Sequence, residues 1–123
     1  MNWKFTGDKP VYQQIVDTIR GAVLTGEYPP GMKIPSVRDL AAQAQVNPNT
    51  MQRALSELER EGLLVSGGTT GRTVTEQMDT LDAAREDALQ TLAEECAEKF
   101  RIFGLTPTQA GTRIAALDQK EGG

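Results

Sequence analysis

SVRDLAAQAQVNPNTMQRALSELEREG, residues 36–62, reads as two short helices joined by a tight turn. Ser36 is a strong N-cap, and Asp39 three residues on makes a capping-box-like pair with it. Val37, Leu40, Ala41 and Ala44 share one apolar face, which predicts a helix over 37–44. Gln45 and Val46 form the turn. Asn47 is a second N-cap, and Pro48 suits the first helical position, where its missing N–H costs nothing. Met51, Ala54, Leu55 and Leu58 are the buried stripe of the second helix, and Gly62 stops it in a left-handed conformation. Two helices of this length around such a turn are a helix-turn-helix.

Reading outward, Val11, Ile15, Ile19, Ala22 and Val23 lie at helical spacing behind Pro10, and Gly26 ends that helix. Glu27-Tyr28-Pro29-Pro30-Gly31 is a turn, and Met32-Lys33-Ile34-Pro35 a short extended connector. Trp3-Lys4-Phe5-Thr6 alternates and is expected to form a short edge strand. On the other side, Leu63-Leu64-Val65-Ser66 and Arg72-Thr73-Val74-Thr75 flank the glycine-rich turn Gly67-Gly68-Thr69-Thr70-Gly71, which predicts a β-hairpin. Helix, helix-turn-helix and hairpin in this order make a winged helix.

Beyond the hairpin, a long helix is expected from Met78 to about Phe103, with the apolar seam Leu81, Ala84, Ala88, Leu92, Cys96, Phe100 and Phe103. Gly104 terminates it. Thr106-Pro107-Thr108-Gln109 is a capping box for a last helix carrying Ala110, Ile114 and Leu117. The expected architecture is mainly α with a small β-hairpin: a winged helix-turn-helix over 1–75, then a short all-helical dimerisation region over 76–123.

Composition narrows the function classes. The 123 residues include one cysteine and no histidine, which leaves no internal disulfide, no multi-cysteine zinc site and none of the commonest general base. No catalytic constellation stands out, so neither an enzyme nor a cofactor is expected. Apolar runs fall short of the roughly 20 residues of a membrane span, and no signal-peptide stretch follows Met1. The expected location is the cytoplasm. Net charge is −4, but it is uneven. Residues 1–75 hold eight Lys/Arg and seven Asp/Glu, a net of +1, and residues 76–123 hold five and ten, a net of −5. Charge alone does not point to nucleic acid.

The second helix of the motif does. Its face away from Met51, Leu55 and Leu58 carries Asn49, Gln52, Arg53 and Ser56, with Thr50 beside them, and residues 45–56 contain no Asp or Glu. In a winged helix this element presents its N-terminal residues to the DNA major groove. Asn and Gln suit adenine, Arg suits guanine, and Thr suits phosphate or a thymine methyl. Backbone N–H groups at the helix start favour a phosphate. A plain solvated helix face has a similar composition, so the spacing of the whole motif carries the inference.

From Pro10 to Thr75 the chain resembles the GntR family of bacterial regulators. The matching stretches are Pro10-Val11-Tyr12-Gln13-Gln14-Ile15, residues 31–41 from Gly31 to Ala41, Asn47-Pro48-Asn49-Thr50-Met51-Gln52-Arg53-Ala54, and residues 58–64 from Leu58 to Leu64. The form Asn47-Pro48-Asn49-Thr50 and the short helical tail look like the YtrA-type subfamily. The resemblance implies DNA contacts at Ser36, Arg38, Asn49, Thr50 and Arg53 and at the wing glycines Gly68 and Gly71. Asn47, Gln52 and Arg72 join them on the residue reading. Many relatives open the recognition helix with an arginine where this chain has Pro48, and carry a basic wing tip where it has Gly68-Thr69-Thr70-Gly71. The subfamily usually represses genes for ATP-driven export systems.

The expected partners are a double-stranded DNA operator and a second copy of the chain, bound through Leu81, Ala88, Leu92, Cys96, Phe100, Phe103 and Ile114. A two-helix tail is too thin to enclose a large private ligand cavity, and its seam needs a partner. Packing of the tail onto its own winged helix is the other option for that seam. The residues name no small-molecule effector. A protein-binding winged helix would carry acidic or apolar residues where Asn49, Gln52 and Arg53 stand.

Overall fold

Ser36, Asn47 and Thr106 each open a helix with a side-chain oxygen that accepts one of its unpaired N–H groups. The computed structural model of the protein describes residues 1–68 and 71–121, the last two by their backbone alone. Helix α1 (Val11–Leu24) follows Pro10 and buries Ile15, Val16, Ile19, Ala22, Val23 and Leu24. Helix α2 (Val37–Ala44) starts at Ser36, whose Oγ accepts the Asp39 N–H at 3.1 Å. Helix α3 (Pro48–Arg60) starts at Asn47, whose Oδ1 accepts the Asn49 N–H at 2.7 Å. At its end Gly62 takes φ 83°, so that Leu63 N–H reaches the Leu58 carbonyl at 3.1 Å and Gly62 N–H the Glu59 carbonyl at 2.9 Å. This 6→1, 5→2 pair is a Schellman closure.

The turn between α2 and α3 closes in the same way on Gln45, the one non-glycine residue with positive φ among those described, at 57°. Strands β1 (Leu64–Ser66) and β2 (Arg72–Val74) pair antiparallel in the register Leu64↔Val74, Val65↔Thr73, Ser66↔Arg72. Thr69 and Thr70 of the expected turn lie outside the described residues. The connector before α2 is more than a link. Lys33 bridges Thr73 antiparallel, Val74 N–H reaches the Met32 carbonyl at 2.9 Å and Ile34 N–H the Arg72 carbonyl at 3.0 Å. Residues 32–34 thus line the outer edge of β2.

Helices α4 (Met78–Arg101) and α5 (Pro107–Glu121) complete the chain. Gly104 stands at φ 79° between them. The capping box forms as expected, with Thr106 N–H on Gln109 Oε1 at 2.8 Å and Gln109 N–H on Thr106 Oγ1 at 3.2 Å. No described helix is long and apolar enough to cross a membrane.

The chain divides into two units, Met1–Ala84 and Arg85–Gly123. The first holds one apolar core, built from Ile15, Val16 and Ile19 of α1, Leu40 of α2, Met51, Ala54, Leu55 and Leu58 of α3, and Leu63, Leu64 and Val74 of the wing. Leu81, at the start of α4, is 3% exposed and belongs to this core, with Ala84 packed against it. The first unit therefore extends past residue 75 and takes in the first turns of α4.

The expected edge strand over Trp3–Thr6 does not form. Gln14 takes the backbone groups that a strand would have paired: its Oε1 accepts the Thr6 N–H at 2.8 Å, and its Nε2 donates to the Thr6 and Lys9 carbonyls at 2.8 and 2.7 Å. Trp3 and Phe5 pack on the core as an irregular segment.

Candidate nucleic-acid interface

The sequence of α3 separates its two ends. Glu57 and Glu59 in the C-terminal half and Glu61 at the C-cap are each matched by an arginine. Glu57 pairs with Arg60 at 2.6 Å, Glu61 with Arg20 of α1 at 2.5 Å, and Glu59 with the Nε of Arg72 in the wing. The Glu61 hydrogen bond raises the pKa of Arg20 above its already high value, and Glu57 does the same for Arg60. The N-terminal half carries no acid at all.

On that half Asn49, Gln52, Arg53 and Ser56 are exposed and Thr50 is half-buried. Gln52 Nε2 donates to Ser56 Oγ at 3.3 Å, one turn along the helix. The Arg53 guanidinium lies 3.6 Å from the centre of the Tyr12 ring, a stacked cation–π contact worth about 0.5–1 kcal/mol at an exposed site. Val11, Tyr12, Asn49, Thr50 and Arg53 line an open depression of about 400 Å³ between the starts of α1 and α3. Tyr12 is the member that residue-by-residue reading missed. Its motif Pro10-Val11-Tyr12 was in view, but a contact between helices some forty residues apart leaves no local periodic signal.

The other expected contacts fall as follows. Ser36 and Asn47 are exposed, each with its side-chain oxygen engaged in a cap, which leaves the Ser36 hydroxyl proton and the Asn47 amide N–H groups to face outward. Arg38 is exposed at the start of α2 and makes no ion pair among the described residues. Gly68 and Gly71 both take positive φ, 68° and 85°. Arg72 differs from the rest: its side chain is 17% exposed and bound to Glu59, so it points into the seam between wing and α3.

The residues expected at a dimer interface split in two. Leu81 packs in the core of the first unit, where it is 3% exposed. In the second unit, Ala88, Leu92, Phe103 and Ile114 are exposed and Cys96 and Phe100 half-buried, while Leu89, Ile102 and Leu117 add to the exposed apolar surface.

The model of bacterial regulatory proteins of the gntR family matches residues 11–74, from the start of α1 to the end of β2. The chain belongs to the GntR family. This GntR regulator is 36% identical to the HTH-type transcriptional regulator YhcF of Bacillus subtilis over 106 residues, 86% of this chain and 88% of that one. It is 41% identical over 71 residues to the HTH-type transcriptional repressor YtrA of the same organism, 58% of this chain and 55% of that one. Among solved structures, a GntR family transcriptional regulator from Listeria monocytogenes superposes with a TM-score of 0.82 at 34% identity, covering 94% of this chain and 98% of that one. The match over nearly the whole length includes the helices after the wing. The protein is a transcriptional regulator with a winged helix-turn-helix DNA-binding domain and a C-terminal helical region.

Proposed function

We propose that this GntR protein is a cytoplasmic repressor that binds a two-fold operator as a homodimer, with α3 in the major groove and Arg85–Gly123 supplying the dimer contact. The observation that carries the reading is the charge separation along α3. Its N-terminal half offers Asn49, Thr50, Gln52 and Arg53 with no carboxylate over residues 45–56, and Glu57, Glu59 and Glu61 at its C-terminal end are each neutralised by an arginine. A face of that kind approaches DNA without the repulsion that the chain's net charge of −4 would suggest. The relative named a repressor, YtrA, supports the direction of control.

Dimerisation rests on the exposed apolar residues of the second unit. A helix-turn-helix dimer reads two half-sites one helical turn apart, so the operator should be an inverted repeat. Arg38 at the start of α2 is assigned to phosphate and Arg53 to a base edge. The test is footprinting on the promoter of the protein's own operon, followed by binding of Arg38→Ala and Arg53→Ala to operator and to random duplex. Arg38→Ala should weaken both alike, whereas Arg53→Ala should lose about 1–3 kcal/mol on the operator alone. Protection of no promoter segment, or equal losses for both variants on both DNAs, refutes the assignment.

A further inference from the structure

The wing hairpin brings only one positive charge of its own, Arg72, and Glu59 holds it. A wing approaching a phosphate backbone with that charge withdrawn would depend on uncharged donors, its backbone N–H groups and hydroxyls. The structure places another cation there from outside the hairpin. Lys33 lies on the connector that lines β2, directly across from Thr73. Along β2, Val74 is buried and Arg72 reaches inward to Glu59, so Thr73 and its neighbour Lys33 occupy the opposite, outward face. The Lys33 stem runs toward the wing tip: a Cβ built on Gly71 would stand 3.6 Å from Lys33 Cε. The ammonium is one bond further on. Lys33 is exposed and makes no ion pair among the described residues. Of the eight cations in residues 1–75, Lys9, Arg20, Arg60 and Arg72 are paired with carboxylates.

We propose that Lys33 is the wing's phosphate contact, a cation delivered to the tip by the strand-like connector in place of the basic residues the hairpin lacks. The assignment rests on the DNA-binding reading above. It also gives the Lys33–Thr73 bridge a role, since that pairing fixes the register that carries the lysine to Gly71. A lysine that only solvates an exposed edge would have no effect on the number of counterions DNA releases.

The experiment measures binding of the full-length protein to a mixed-sequence duplex across a sodium chloride series, with wild type, Lys33→Gln, Lys33→Arg, Arg72→Gln and Arg38→Ala. Each phosphate contact contributes about 0.9 to the slope of log affinity against log salt. Lys33→Gln should lower the slope by about one per bound subunit, so that across a fourfold rise in salt affinity falls roughly three- to fourfold less for each subunit bound. Lys33→Arg should restore the wild-type slope. An unchanged slope in Lys33→Gln beside a reduced one in Arg38→Ala overturns the proposal and leaves the winged-helix docking standing. A slope reduced by Arg72→Gln and not by Lys33→Gln also overturns it, because Arg72 would then have left Glu59 for the DNA. Wild-type binding that does not depend on salt removes the DNA-binding reading itself, and the proposal with it.

Discussion

In Met1–Ala84, Ile15, Ile19, Leu40, Met51, Leu55 and Leu58 are wholly buried, whereas in Arg85–Gly123 Leu92, Ile102 and Phe103 are 61, 80 and 82% exposed. The first unit has three helices and a hairpin to close around its apolar residues. The second has a helix pair, and among its described residues only Ala110 is buried. Two helices have one mutual face, so any further apolar stripe stays in water until another surface covers it. The contrast separates residues that hold the monomer from residues available to an assembly.

The largest expected effect tests the first half of that contrast. Leu55→Ala removes a fully buried side chain from the face of α3 that meets the core and should cost about 2–5 kcal/mol in urea unfolding of the full chain. A loss below about 1 kcal/mol would mean that the core is looser than its burial indicates. Next comes the second half. Phe103→Ser should leave unfolding of the first unit within about 0.5 kcal/mol of wild type, since the ring is 82% exposed. It should weaken self-association by about 2 kcal/mol, roughly thirtyfold in dissociation constant, by sedimentation equilibrium. An unchanged association constant, or no self-association in the wild type, would refute the proposed dimer contact. Substitution is the sharper tool here than removal of everything after Thr75, which would also delete Leu81 from the first core. The smallest effect is local. Asn47→Ala strips the cap of α3 and should cost about 1 kcal/mol in the first unit's unfolding, with self-association unaltered. A dimer that loosened as well would show that the units are energetically coupled.

Helix starts were the most legible feature, because caps are local chemistry. Ser36, Asn47-Pro48 and the Thr106–Gln109 box announce α2, α3 and α5, and the structure shows each cap bond formed. The stripe Met51, Ala54, Leu55, Leu58 was legible for the same reason, one period along one helix. What escaped was decided between segments. Trp3–Thr6 alternates like a strand, but Gln14, from the next helix, takes its backbone groups. Leu81 continues the seam of α4 on paper, yet the core of the first unit takes it. Arg72 is expected among the DNA contacts, and its ion pair with Glu59, thirteen residues back, leaves no local signal in the sequence. At the candidate interface, the polar face of α3 was readable from composition and phase. The Tyr12–Arg53 stack was not, since only tertiary packing brings α1 beside α3.

Gln45 has a consequence for how this motif tolerates sequence drift. Its left-handed φ of 57° turns the chain from α2 into α3, so the direction in which α3 leaves the turn depends on this backbone dihedral. For a residue with a Cβ that conformation costs on the order of 1 kcal/mol. Glycine would remove the strain but would give the unfolded chain back a comparable entropy of about 0.5–1 kcal/mol, making the exchange close to neutral. Asparagine and aspartate are further acceptable alternatives, while valine and isoleucine are penalised by their branched Cβ. Proline is excluded outright, because its ring holds φ at about −65°. Position 45 thus acts as a narrow filter on inheritance in a turn whose side chain is itself exposed and makes no core contact.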